Sequence, residues 1–171
     1  LYAANELFPL SPNLREVDSA KQSVSGYQEW ERQELVKIGA SFGRAWELAG
    51  KDVLDVGCGL GGKSSDYLAA GARSVVGIDL RSFSLHSAAS RDGPSDAASD
   101  AAFCQTDAAR MPFADSSFDV IVSINVLEHV DDLYAVLLEC KRVLRPNGRM
   151  LFHFPPFYSP WGAHLEGWIA I

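Results

Sequence analysis

No apolar run in this chain approaches the roughly 20 residues that a membrane-spanning helix needs. The opening residues, Leu1-Tyr2-Ala3-Ala4-Asn5-Glu6, lack the basic start and apolar core of a secretory signal. A cytoplasmic location is therefore the default expectation, with an upstream targeting segment left open because the chain does not begin with Met. Cysteine is scarce: Cys58, Cys104 and Cys140 are widely spaced with no C-x-x-C pair, which indicates neither a disulfide framework nor a zinc knuckle. Basic charge is also short, 15 Lys and Arg against 22 Asp and Glu for a net charge of −7, which argues against a phosphate-binding surface and a nucleic-acid substrate. Lys141, Arg142, Arg145 and Arg149 do cluster, but the first three are expected in the last turn of a helix, where they complement its dipole. Repeats and extended low-complexity tracts are missing too. The 171 residues, 47% apolar and 22% charged, suit one globular domain.

What is present is concentrated in Val53-Leu54-Asp55-Val56-Gly57-Cys58-Gly59-Leu60-Gly61-Gly62. Val53, Leu54 and Val56 suit a buried parallel strand. Gly57, Gly59 and Gly61 then let the backbone turn sharply and approach a ligand, after which Lys63-Ser64-Ser65-Asp66-Tyr67-Leu68 begins a helix with the ligand at its N-terminus. Gly71 ends that helix, and Ser74-Val75-Val76-Gly77-Ile78-Asp79 is the next strand. Asp79 follows the glycines at about the twenty-residue distance that suits recognition of ribose hydroxyls.

The same glycines satisfy the dinucleotide spacing Gly57-x-Gly59-x-x-Gly62, so the loop alone leaves a nicotinamide oxidoreductase open beside other adenosine-cofactor enzymes. Asp55 tilts the choice, because a carboxylate is unfavourable beside a pyrophosphate and favourable beside an ammonium and a sulfonium. So does the downstream pattern, Phe103-Cys104-Gln105-Thr106-Asp107-Ala108-Ala109-Arg110-Met111-Pro112-Phe113, followed by residues 118–130 with their Asn125-Val126-Leu127-Glu128-His129-Val130 ending.

Across residues 51–154 these separated motifs, in order, resemble the class I S-adenosylmethionine-dependent methyltransferases, specifically the small-molecule branch with a methyltransferase type 11-like core. The resemblance implies that Asp55 and the backbone of Gly57, Cys58 and Gly59 hold the methionine part. It implies further that Asp79 accepts from the ribose hydroxyls and that Leu80 packs on the adenine. Asp107 would accept from the adenine amino group, Ala108 would supply a backbone contact, and Ile124 and Asn125 would pass beside the sulfonium. The cofactor implied is S-adenosylmethionine, leaving S-adenosylhomocysteine, and the partner a small organic methyl acceptor.

Along the chain, residues 25–49 look helical, with Leu35, Ile38, Phe42 and Trp46 at helical spacing, although Gly39 and Gly43 weaken the pattern. Residues 1–50 are read as a helical extension or lid, with Tyr27, Trp30 and Arg32 as candidate lid residues. After Asp79, Ser82 caps a helix through Ser90, and Gly93-Pro94-Ser95-Asp96 breaks it before a third strand near residues 102–105. Phe118 to Ile124 is a central strand. Asp131-Asp132 starts a helix burying Leu133, Val136, Leu137, Cys140 and Leu144, stopped by Pro146-Asn147-Gly148, and Arg149 to Phe154 is the fifth strand. The expected fold is α/β: a Rossmann-like, doubly wound, mostly parallel sheet with helices on both faces, a core at 51–154, and the family's last two strands missing or truncated.

The implied reaction is in-line displacement by an N, O, C or S nucleophile. Alignment alone supplies about 7–11 kcal/mol of such a barrier, so a dedicated base is needed only for an alcohol or phenol. His129 is the candidate base, with Glu128 to orient it or to bind a metal; bracing the loop or capping the next helix is the structural alternative for His129. No metal is assigned. His153 ranks lower, and His86 is expected to be structural or exposed. The Pro- and aromatic-rich stretch at 155–171 is expected to wall an acceptor pocket through Tyr158, Trp161 and His164, with a hydrophobic plug or dimer contact as the alternative. A catalytically silent cofactor-binding or scaffold protein also stays open at this point.

Overall fold

The described residues form five strands, β1 Asp52–Val56, β2 Ser74–Asp79, β3 Ala101–Gln105, β4 Phe118–Ile124 and β5 Leu144–His153, of which β1, β2 and β4 are rich in β-branched Val and Ile. The computed structural model describes residues 24–81 and 101–154, with the side chains of residues 24–31 excepted. All strand pairings are parallel, and the order in the sheet is β3-β2-β1-β4-β5. The chain thus moves outward from β1 to β3, then returns to the other side of β1. The crevice between β1 and β4 at their carboxyl ends is the point where the order reverses, which is where ligands bind in such sheets.

Among the described residues three helices cover the sheet: α1 Val24–Phe42, α2 Gly62–Ala69 and α3 Leu133–Val143. Strand alternation gives each face its own core. On one face Leu35 and Ile38 of α1 and Tyr67 of α2 pack with Val53, Val75, Val120 and Val122. On the other, Val136, Cys140 and Val143 of α3 pack with Leu54, Val56, Ile78 and Ile121. The Rossmann-like doubly wound architecture expected from the alternating pattern is therefore present in the described residues. The α1 helix is part of the first of these cores, since its Leu35 and Ile38 are 6% and 5% exposed.

Three expectations are corrected. First, the helix expected through Ala49 ends at Phe42, where Gly43 takes φ +55 and a 3₁₀ turn, Gly43–Trp46, follows. That turn folds Trp46 back to stack on Phe42 at 5.8 Å and to meet Tyr67 edge-on at 5.7 Å. A Cβ on Gly39 would lie 2.9 Å from the Trp46 ring, so this glycine gives the indole its space.

Second, the buried stripe of α3 is Val136, Cys140 and Val143; Leu133 is 39% exposed and Leu144 belongs to β5. Third, β5 starts at Leu144 rather than Arg149. Leu144 pairs with Phe118 and Arg149 with Val120, so Arg145-Pro146-Asn147-Gly148 forms an irregularity inside the strand, with Asn147 at φ +66.

Arg145 consequently does not sit in a helical last turn. It pairs with Asp52 at 2.7 Å and Asp119 at 2.9 Å, while Arg73 also holds Asp52. The Arg73 guanidinium, helped by Arg145 and Ser74, holds the Asp52 carboxyl well below the usual carboxylate range. The Asp52 amide, donating at 2.9 Å, lowers Asp119 in turn, with Arg145 adding to the effect. This network ties the amino ends of β1, β4 and β5 to the start of β2, at the end of the sheet away from the crevice.

Candidate functional site

The turn after β1 is built from glycines in the left-handed region: Gly57, Gly59 and Gly61 have φ of +76, +55 and +74. Gly57 is also sterically required, because a Cβ there would lie 2.3 Å from Cγ2 of Val126. The amides of Gly57 and Cys58 donate to the carbonyl of Ile78 at 2.8 and 3.0 Å, and that of Gly61 donates to Cys58 at 2.9 Å. A pyrophosphate cradle needs such amides free and convergent; here they are committed to the protein. The Gly59 amide instead donates to Oδ2 of Asp79 at 3.1 Å, and the Arg81 amide donates to Oδ1 at 2.9 Å. Asp79 is thus fixed at the end of β2 by one backbone donor on each oxygen, with lone pairs left for a ligand's hydroxyls.

A cavity of about 830 Å³ opens above these strand ends. Gly57, Gly59, Asp79, Leu80, Asp107, Ala108, Ile124, Asn125 and His129, all singled out in the sequence, line it. Leu80 is 70% exposed there, an apolar surface left uncovered, and its carbonyl accepts from Gln105 at 3.0 Å. Oδ1 of Asp107, which also lines the cavity, accepts from the Ala109 amide at 2.8 Å. The following segment is clamped by α3. Glu139 accepts from the Met111 amide at 2.8 Å, and Arg142 donates to the carbonyls of Phe113 and Met111 at 2.7 and 3.0 Å. Arg142, expected only to complement a helix dipole, also pairs with Glu139 and Asp115.

Asp55 and Cys58 stand behind the loop and are not part of the cavity wall. Asp55 is 1% exposed and accepts from the Ser64 hydroxyl at 2.7 Å, so it braces the turn against the first turn of α2. Burial pushes the Cys58 thiol far up, and the charges of Asp55 and Asp79 add to the shift, so the group stays a neutral thiol at physiological pH.

At the end of β4, Asn125 takes φ +57, a strained conformation for a side-chain-bearing residue. It is held by its amide donating to the His153 carbonyl at 2.8 Å and by a contact of 3.3 Å between its Oδ1 and Nδ1 of His153. A 3₁₀ turn, Leu127–His129, follows. His129 lines the cavity with half its side chain exposed, and its Nε2 is 3.9 Å from Oε1 of Glu128. The Glu128 side chain is only 4% exposed, and among the described residues neither of its oxygens has a hydrogen-bond partner. The cap of α3 is Asp132, which accepts from the Ala135 amide at 2.9 Å, and not His129. Among the described residues no cluster of three or more His, Cys, Asp or Glu could hold a metal ion.

The sequence reading passed over Lys63, Glu34 and Leu35, which also line the cavity. The signal for Lys63 was available: Gly57 to Ser64 satisfies the G-x-x-x-x-G-K-S spacing in which a lysine follows a ligand-binding turn. Tyr158, Trp161 and His164, the candidate acceptor residues, lie outside the described residues, as do the helix expected at 82–90 with His86 and the side chains of Tyr27 and Trp30. Arg32 is described, and it pairs with Asp66 of α2 at 3.2 Å.

The cavity volume, the pinned acid, the uncovered leucine and the second acid fit an adenosine-bearing cofactor. Comparison with known proteins points the same way. Residues 54–152 match the methyltransferase domain family. An uncharacterised methyltransferase of Mycobacterium marinum is 34% identical over 124 residues, 72% of this chain and 47% of that protein. The chain spans about half the length of the curated relatives it matches. The crystal structure of an S-adenosylmethionine-dependent methyltransferase from Mesorhizobium loti superposes with a TM-score of 0.60 at 25% identity, covering 76% of this chain and 55% of that one. Phosphoethanolamine N-methyltransferase 2 of Haemonchus contortus, solved with phosphomonomethylethanolamine and S-adenosylhomocysteine, gives a TM-score of 0.62 at 27% identity over 70% of this chain and 27% of its own.

Proposed function

The chain belongs to the methyltransferase domain family, and from that premise we propose that it binds S-adenosylmethionine in the cavity and directs methyl transfer to a nucleophilic N, O, C or S atom of a small organic molecule. The observation that carries the reading is Asp79. Its carboxylate is fixed at the cavity wall by the amides of Gly59 and Arg81, with the exposed Leu80 beside it and Asp107 lining the same cavity. That set suits two ribose hydroxyls, an adenine face and an adenine amino group. When bound, S-adenosylmethionine supplies an electrophilic methyl group on a sulfonium, whose sulfur leaves as the thioether of S-adenosylhomocysteine.

The protein's own contribution is placement. Gly57 and the strained Asn125 shape the floor of the cavity between β1 and β4, and Ile124 closes it from below. For amine or thiolate acceptors, alignment of the nucleophile accounts for most of the work. For a hydroxyl acceptor His129 takes the proton. Glu128, buried and 3.9 Å away, favours the imidazolium that results, because a carboxylate in low dielectric stabilises a neighbouring cation more strongly than it would in water. The α1 helix contributes Glu34 and Leu35 to the cavity lining.

None of the described helices is long and apolar enough to cross a membrane. The three free cysteines fit a reducing compartment such as the cytoplasm. An assay for S-adenosylhomocysteine release across a panel of amine, phenol, alcohol, thiol and carbon acceptors tests the reading. Release that depends on one acceptor class supports it, and silence across the panel together with failure to bind S-adenosylhomocysteine rejects it.

A further inference from the structure

Asn125 at the end of β4 and His153 at the end of β5 are tied through both backbone and side chain. The Asn125 amide donates to the His153 carbonyl at 2.8 Å, which helps to hold the left-handed backbone at φ +57, and Oδ1 of Asn125 lies 3.3 Å from Nδ1 of His153. A carboxamide oxygen only accepts, so the imidazole carries a proton on Nδ1 and donates it to Oδ1. Asn125 also lines the cavity. With its oxygen occupied, what this side chain has left to offer there is Nδ2, which has two donors and no acceptor.

That chemistry bears on the methyl acceptor, given the methyl-transfer reading on which this inference rests. A neutral amine has one lone pair, which it must aim at the methyl carbon, so a donor beside it competes for the reacting electrons. A hydroxyl oxygen has two lone pairs and can accept from Nδ2 with one while attacking with the other. The acids on the wall, Glu34, Asp79, Asp107, Asp131 and Asp132, act in the same direction. They favour the ammonium form of an amine, which has no lone pair, and they disfavour a carboxylate or thiolate. A taker for the hydroxyl proton is on the same wall: His129, with the buried Glu128 3.9 Å away.

We propose that His153 is a positioning residue that turns the Asn125 amide nitrogen into the cavity, and that the pair selects a neutral hydroxyl, of an alcohol or a phenol, as the methyl acceptor. The hydroxyl oxygen forms a C–O bond to the methyl carbon as the C–S bond breaks with its electron pair going to sulfur. The hydroxyl proton passes to His129, and a methyl ether leaves.

Nitrogen NMR of the ligand-free wild type reads the His153 imidazole directly. A proton on Nδ1 is expected; a proton on Nε2 alone would mean that Nδ1 accepts from the Asn125 amide, and it overturns the proposal. S-adenosylhomocysteine release is then compared for acceptor pairs that share one skeleton and differ only in carrying a hydroxyl or an amine. The wild type should favour the hydroxyl member by at least about 10-fold in kcat/KM, and His153→Phe should lower that ratio by about 10-fold. His153→Gln, which keeps an N–H donor, should restore most of it. A wild-type preference for the amine, or an equal loss for both members in His153→Phe, sinks the idea. If His153→Phe fails to fold, the imidazole proton and the wild-type ratio decide. Failure of the wild type to bind S-adenosylhomocysteine would reject the cofactor reading itself, whereas binding without release from any hydroxyl member overturns the hydroxyl assignment alone.

Discussion

The Oδ2 atom of Asp79 accepts a hydrogen bond from the amide of Gly59 at 3.1 Å, so the acid that ends β2 is tied to the turn that follows β1. The tie orients the carboxylate before any ligand arrives and makes Asp79 both a binding group and a brace for the turn. Replacing it with Asn keeps the shape but leaves one oxygen and removes the charge. Asp79→Asn should weaken S-adenosylhomocysteine binding by roughly 10- to 100-fold, the equivalent of about 1.5–3 kcal/mol for a charge-assisted contact. Calorimetry measures the loss, and circular dichroism should show an unchanged fold.

Gly57 and Gly59 separate backbone strain from crowding. Both are in the left-handed region, but a Cβ on Gly59 meets nothing within 4 Å whereas one on Gly57 would overlap Val126. Gly59→Ala should cost about 1–2 kcal/mol, the strain of the conformation alone. Gly57→Ala should cost more and displace the end of β4. Urea unfolding of the two variants ranks them, and Val126→Ala should recover part of the Gly57→Ala loss and none of the Gly59→Ala loss.

Acid should unfold this protein through its paired carboxylates. Asp52 and Asp119 titrate below their ordinary 3.8, and Glu139 below its ordinary 4.5 because Arg142 holds it. The unfolded chain takes up protons near the ordinary values while the folded chain resists. The stabilisation is therefore complete above those values and is lost as pH falls through them towards the lower folded ones. The expected Tm is flat from neutrality to about pH 5 and falls steeply below about pH 4. Asp52→Asn should start from a lower Tm at neutral pH and fall less steeply, because one linked proton has been removed.

His129 and Glu128 are separable from cofactor binding. With a hydroxyl acceptor, His129→Ala should lower kcat by about 100-fold or more, in the range of general-base catalysis. Glu128→Gln should lower it by a smaller factor. Neither variant should change S-adenosylhomocysteine affinity by more than about twofold, since Asp79, Leu80 and Asp107 are untouched. A matching loss of affinity in His129→Ala would give the residue a role in shaping the cavity instead.

The strands that carry the site were legible because they are central and parallel. Val53-Leu54-Asp55-Val56 and Phe118 to Ile124 are buried on both faces, and such strands read as nearly continuous apolar runs. What escaped the sequence depends on contacts between distant segments. The hydrogen bond from Ser64 to Asp55 is one such contact, because Ser64 reaches the acid only once the turn has folded back. Pro146-Asn147-Gly148 has the composition of a turn, but pairing of Leu144 with Phe118 absorbs it as an irregularity in β5. Arg142 looked like a helix-end charge because its five hydrogen bonds, to Met111, Phe113, Asp115 and twice to Glu139, mostly cross from α3 to the preceding loop. Leu35 and Ile38 were legible from helical spacing alone, and the turn that returns Trp46 onto Tyr67 was not.

The central claim is that the turn at Gly57 to Gly61 and the acid Asp79 form a cradle for an S-adenosyl cofactor and not for a dinucleotide. Calorimetric titration of the wild-type chain with S-adenosylhomocysteine and, separately, with NAD tests it most directly. Saturable one-to-one binding of S-adenosylhomocysteine with no heat from NAD is the predicted result, and saturable binding of NAD with none of S-adenosylhomocysteine would contradict it.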